Sequence, residues 1–235
     1  MRTANARRAD NERRVARMTA WIKLAAAERP ASDNNAHVRF VFYWIAYEAA
    51  YQTYEAKGPS PHKSERKVFH RRATLHDGNR LQGILKRHRE SIVKLLELRQ
   101  VDREFWYQGD QPATSDAKWD SGFRGRVKKA VARLDNLETV HTLNDLFENL
   151  SIVRHQIVHG GSAGIQSRGL SQVLWGAELL AALIPRFCAS IESNLEEDWG
   201  SPPFPRVGVD RDDDHCPPPW LEVARAAIHE RRDNE

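Results

Sequence analysis

The chain has 235 residues and a mass of 26.9 kDa, with 40% hydrophobic residues, 29% charged residues and a formal net charge of +4. That composition fits a soluble globular protein of one decorated domain or two small ones. No unbroken apolar run approaches a membrane span: the longest, Phe40 to Tyr47, has eight residues, against the ~18–20 that a span needs.

The N-terminus is basic but lacks the apolar core of a secretory signal. Two cysteines, Cys188 and Cys216, make no disulfide framework. Cytoplasmic residence is the expectation, with no membrane partner.

Helical spacing recurs along the chain, and strand-like alternation never persists. A first helix is expected over 8–28, with Val15, Met18, Ile22 and Ala25 on one stripe and Arg29-Pro30 as its stop. Asp33 or Asn34 caps a second helix over 36–55. In it Phe40, Trp44, Tyr47, Tyr51 and Tyr54 recur at steps of four, three, four and three. Val41 and Ile45 extend its apolar surface almost all round, so this helix belongs at the centre of a bundle. Glu48 is the one acidic residue in the stretch and would be costly to bury unpaired; a role in orienting an arginine or histidine stands beside a plain solvent-facing position.

Lys57-Gly58-Pro59-Ser60-Pro61 reads as a loop. The following segment, Ser64 to about Trp106, reads as helical with a break near Asp77-Gly78 and a buried stripe of Leu81, Leu85, His88, Ile92 and Leu95. From Pro61 to Arg103 there are 12 Lys and Arg against 5 Asp and Glu, with four histidines besides. Such a basic stretch suits a polyanion such as RNA, and equally coats the solvent face of a long helix. Arg66, Lys67, Arg71, Arg72, Arg80, Lys86 and Arg87 are its candidate RNA-binding cations.

After a polar loop, Val127, Val131 and Leu134 mark a short helix. Thr142-Leu143-Asn144-Asp145 resembles a capping box opening the next, whose core face is Leu143, Leu146, Leu150, Val153 and Ile157. Gly160-Gly161 stops it. A last long helix spans about 170–197 and should kink at Pro185. The domain boundary is placed at 200/201. From Ile191 to Glu235 there are 5 basic and 12 acidic residues, and beyond 200 the Pro- and Asp-rich text reads as an irregular tail with one short helix over Trp220–Arg231.

The chemistry concentrates in Ile152-Val153-Arg154-His155-Gln156-Ile157-Val158-His159. Arginine is a permanent planar cation that grips phosphate, and histidine moves protons near neutral pH. In RNA the 2′-OH is a built-in nucleophile. A base must take its proton, positive charge must stabilise the phosphorane, and an acid must protonate the leaving 5′-oxygen. His159 supplies the acid/base function and Arg154 the charge, with no cofactor or metal. Positions five apart lie about 140° from each other on a helix, so the pair works most naturally where a second copy of the helix packs alongside. The plain alternative is an exposed Arg and a His placed favourably at a helix C-terminus. His155 and His159, four apart, also have a zinc-binding spacing, without a neighbouring third ligand.

Arg154 through His159, followed by Gly-Gly, resembles the Arg-x4-6-His signature of the HEPN family (higher eukaryote and prokaryote nucleotide-binding domains). Phe40 through Tyr51 resembles the aromatic second helix of its prokaryotic members. The resemblance covers residues 10–197 and outside these two segments rests on helical pattern. It implies an all-α, HEPN-like up-and-down helical bundle with extra helices, a homodimer, and metal-independent endoribonuclease activity, often as a toxin or defence effector with a cognate antitoxin. By position the family's catalytic pair falls on Arg154 and His159. Two departures stand in supporting positions: His155 where the family commonly has Asn, and Glu48 where it often has Asn. A diverged member would bind RNA, nucleotide or protein without cutting.

Overall fold

A computed structural model describes residues 2–28, 33–53, 61–107, 117–159 and 170–203. Tyr54, most of the Lys57–Pro61 loop, Gly160-Gly161, Cys216 and the short helix expected over Trp220–Arg231 lie outside the described residues. The described chain is all helical, with no strand among the described residues: α1 Ala4–Ala27, α2 Asp33–Tyr51, α3 Pro61–Arg87, α4 Arg89–Leu96, α5 Arg103–Tyr107, α6 Ala117–Asp135, α7 Thr139–Val158 and α8 Leu170–Glu192. A single 3-10 turn, Arg99–Val101, sits between α4 and α5.

The termini follow local chemistry. Thr3 caps α1, its hydroxyl accepting the Ala6 N–H at 3.2 Å, so the helix opens four residues before the apolar stripe suggests. Pro61 opens α3, where a missing N–H costs nothing. The break expected near Asp77-Gly78 is present: Asp77 adopts φ −146° and ψ 28° within α3. Its carboxylate receives Arg186 of α8 there.

One expectation needs correction. The α7 helix begins at Thr139, not at a capping box on Thr142; Leu137 turns the chain at φ 63° just before it. Thr142 is thereby buried inside the helix and Asn144 reaches another element. Helix α8 carries Pro185 inside it and continues through it as one helix. Leu183, Ile184 and Phe187 around the proline are fully buried, and that packing outweighs the lost backbone bond.

The helices pack as a bundle around α2 and α8. Helix α1 lies on both, α3 on α7 and α8, and α4 bridges α6, α7 and α8. Although α8 is long and apolar enough to cross a membrane by length and composition, 56% of its most apolar window is buried in the bundle. Gly176 of α8 lets Phe40 of α2 approach so closely that a Cβ there would stand 2.6 Å from the Phe40 ring. The centre is aromatic, with Tyr47 against Phe147 at 4.2 Å between ring centroids and both near Phe187.

Two polar devices are built into this core. Arg14, fully buried on the apolar stripe of α1, donates to the carbonyls of Ala49, Ala50 and Gln52 at the end of α2, and to Gly200 O at 2.8 Å. These are the carbonyls a helix C-terminus leaves unpaired, and a cation there meets the negative end of the helix dipole. Burial lowers the Arg14 pKa to about 10, opposed by Asp10. The second device joins three helices: Tyr47 of α2, His70 of α3 and Asn144 of α7. His70 Nε2 lies 2.8 Å from the Tyr47 hydroxyl and Nδ1 lies 2.8 Å from Asn144 Oδ1. Since Oδ1 accepts only, Nδ1 carries the proton and Nε2 accepts from the phenol. Burial pushes the His70 pKa down to about 3, against the pull of the Asn144 bond, with Arg66 lowering it further.

Candidate functional site

Helix α7 ends in the Arg-His segment. Leu143, Leu146, Leu150 and Val153 are fully buried and Ile157 packs on the core, which fixes the helix's rotation. That rotation leaves Arg154, His155, Val158 and His159 at the surface or half-buried. His159 is the capping residue, its N–H donating to His155 O at 3.0 Å.

Arg154 turns towards α2. Its Nη2 stands 3.8 Å from Glu48 Oε1, and the same carboxylate oxygen accepts the Trp44 indole N–H at 2.8 Å. The arginine keeps 38% of its side-chain surface and the carboxylate 26%. Glu48 therefore faces neither plain solvent nor an unpaired interior. It is positioned by Trp44, four residues earlier on the same helix, and it faces the arginine.

The two histidines turn towards each other. Their ring centroids are 4.2 Å apart at an interplanar angle of 44°. Loss of hydration lowers the His155 pKa below the ordinary imidazole value, and the positive charges of His159 and Arg154 lower it further. Neutral imidazole is thus favoured at His155, the form that accepts a proton. Among the described residues no group of three or more His, Cys, Asp or Glu side chains gathers for a metal ion.

The expected RNA-binding cations lie along α3, on both sides of the kink at Asp77. Arg66 Nη1 donates to Phe147 O at 3.0 Å and ties α3 to α7. Arg80 faces Asp77 at 3.9 Å. Lys67, Arg71, Lys86 and Arg87 are exposed on α3 and Arg72 is half-buried. The kink at Asp77 separates the first group from Lys86 and Arg87.

An apolar strip runs along α2 on the face that carries Glu48. Val38, Val41, Ile45 and Glu48 share one face of α2 within about 80°. None of the four is fully buried. On α7, Val158 is 54% exposed one turn beyond Arg154. Sequence reading missed the Tyr47–His70–Asn144 chain and the buried Arg14. The signal for Arg14 was its place on the α1 stripe, four residues before Met18.

No family model matches this chain, and neither a curated protein nor a solved structure matches it.

Proposed function

We propose that the chain is a metal-independent endoribonuclease of HEPN type, working in the cytoplasm as a homodimer with Arg154 and His159 from each protomer at a shared cleft. The observation that carries this reading is the convergence at one helix end of a half-exposed guanidinium and two facing imidazoles, one of which favours its neutral form. Neutral His155 supplies a proton acceptor beside His159, and acid/base groups are what attack by the 2′-OH and departure of the 5′-oxygen require. Arg154 holds the phosphate and offsets the charge of the phosphorane. The half-exposed Val41 and Ile45, on the α2 face that carries Glu48, and the exposed Val158 offer a second copy apolar surface.

In this reading RNA is the substrate, a toxin or defence effector the biological role, and a cognate antitoxin the controlling partner. Cleavage of labelled single-stranded RNA in EDTA tests it, with Arg154→Ala and His159→Ala alongside. Loss of cutting on chelation, or full cutting by His159→Ala, removes the mechanism.

The Glu48–Arg154 pair favours a second reading. A carboxylate already facing the arginine weakens its call on phosphate, as suits a HEPN-like module that binds RNA, nucleotide or protein without cleavage. Salt-dependent RNA binding without products, with His159→Ala changing affinity alone, is its signature.

A further inference from the structure

A groove of about 780 Å³ runs between α4, α5, α6 and α7, and the reaction scheme above makes no use of it. Its floor is apolar: Leu96, Phe123, Val127 and Ala130. The Phe123 ring is stacked on Trp119 at 5.3 Å and 6°, which gives the floor a rigid aromatic backing. Its walls carry donors and acceptors in facing pairs. Arg103 meets Glu148 at 3.3 Å, Arg126 meets Asp102 at 3.0 Å, and Arg133 meets Asp145 at 2.7 Å. Lys129 adds a further donor at the rim.

This chemistry does not suit a phosphate. The guanidiniums are matched by carboxylates, so the walls offer a free anion little net attraction. It does suit a nucleobase, whose faces are apolar and whose edges alternate donors with acceptors. The groove also points to the reactive end. On α7, Glu148, His155 and His159 fall within about 40° of one another. The wall at Glu148 therefore leads along one face of α7 to the histidine pair, about 10 Å further for His155 and about 16 Å for His159.

We infer that this groove is a nucleobase subsite, which takes one base of a single-stranded RNA whose backbone passes the two histidines and so selects a base near the cut. The inference rests on the ribonuclease reading for the cut, and on the groove alone for the base.

The test separates the two. The full chain is titrated with each of the four 5′-mononucleotides and with ribose 5-phosphate, following amide signals of α6 by NMR. At least one nucleotide should shift the signals around Phe123 and Val127, and ribose 5-phosphate should not. Val127→Trp, which fills the groove, should weaken that nucleotide by about tenfold, the worth of one stacked base. Lys129→Ala, an exposed change that leaves the core intact, should also weaken it, whereas Lys23→Ala on α1 should not. No shift with any nucleotide, equal shifts with ribose 5-phosphate, or unchanged affinity in both Val127→Trp and Lys129→Ala overturns the subsite. A chain that binds a base there yet leaves RNA whole keeps the subsite and loses the ribonuclease. One that cuts RNA with the same base preference in both variants keeps the ribonuclease and loses the subsite.

Discussion

Glu48 Oε1 stands 3.8 Å from Arg154 Nη2 while it accepts the Trp44 indole N–H at 2.8 Å. The carboxylate is therefore fixed from its own helix and competes with any phosphate for the arginine. Glu48→Gln keeps an acceptor for Trp44 and removes the competing charge. RNA affinity should rise by up to about fivefold, since a partly exposed ion pair is worth ~0–1 kcal/mol. Filter binding at two salt concentrations measures this, and the salt dependence should steepen as Arg154 is released. Unchanged or weaker binding would mean that Arg154 does not meet the phosphate.

His70 makes stability sensitive to acid. Its pKa is about 3 in the folded chain and near 6.5 when unfolded. As pH falls below about 6.5 the unfolded chain takes up a proton that the folded chain refuses, so stability declines progressively towards pH 3 and is level in this respect above 6.5. Urea midpoints across this window should drop with pH. His70→Leu should flatten that slope while costing ~1–3 kcal/mol at pH 7, because Tyr47 and Asn144 lose their partner. An equally steep slope in the variant would place the acid sensitivity elsewhere.

Arg14 holds the end of α2 and the chain at Gly200 together. Arg14→Met keeps much of the volume but leaves those carbonyls without donors. The expected loss is about 3 kcal/mol, read as a lower urea midpoint, with the amides of residues 49–53 exchanging faster. A loss confined to the global midpoint, with no local change near Gln52, would contradict the clamp.

Gly176 is a packing glycine, set by the Phe40 ring against α8. Alanine normally favours a helix over glycine by ~1 kcal/mol, but here overpacking should dominate and Gly176→Ala should lower stability by ~1–3 kcal/mol. Phe40→Leu in the same chain should recover part of the loss, and thermal unfolding of the two singles and the double decides it.

Much of the fold was legible because periodicity is set by burial. Met18 and Ala25 on α1, the Phe40–Trp44–Tyr47–Tyr51 run on α2, Leu81, Leu85, Ile92 and Leu95, and Ile184, Cys188 and Ile191 on α8 are all buried. Boundaries were less legible. Helix α7 starts where Leu137 turns the chain, at a position no sequence rule marks for a leucine. The Arg154–His155–His159 cluster could be read from spacing, and Glu48 from its being the one acidic residue in the apolar stretch from Phe40 to Tyr51. The buried His70 could not, because one histidine among basic residues reads as surface until Tyr47 and Asn144 close on it from other helices. The groove was invisible for the same reason: its floor and walls come from four elements.

The central claim is that Arg154 and His159 cut RNA through its own 2′-hydroxyl. The most direct test is to incubate the full chain with a labelled single-stranded RNA in EDTA, beside Arg154→Ala, His159→Ala and a substrate carrying one 2′-deoxy position, and to analyse the product ends. The account predicts products from the wild type alone, ending in a 2′,3′-cyclic phosphate, with no cut at the 2′-deoxy position. Cutting at that position, or cyclic-phosphate products from His159→Ala at the wild-type rate, would contradict it.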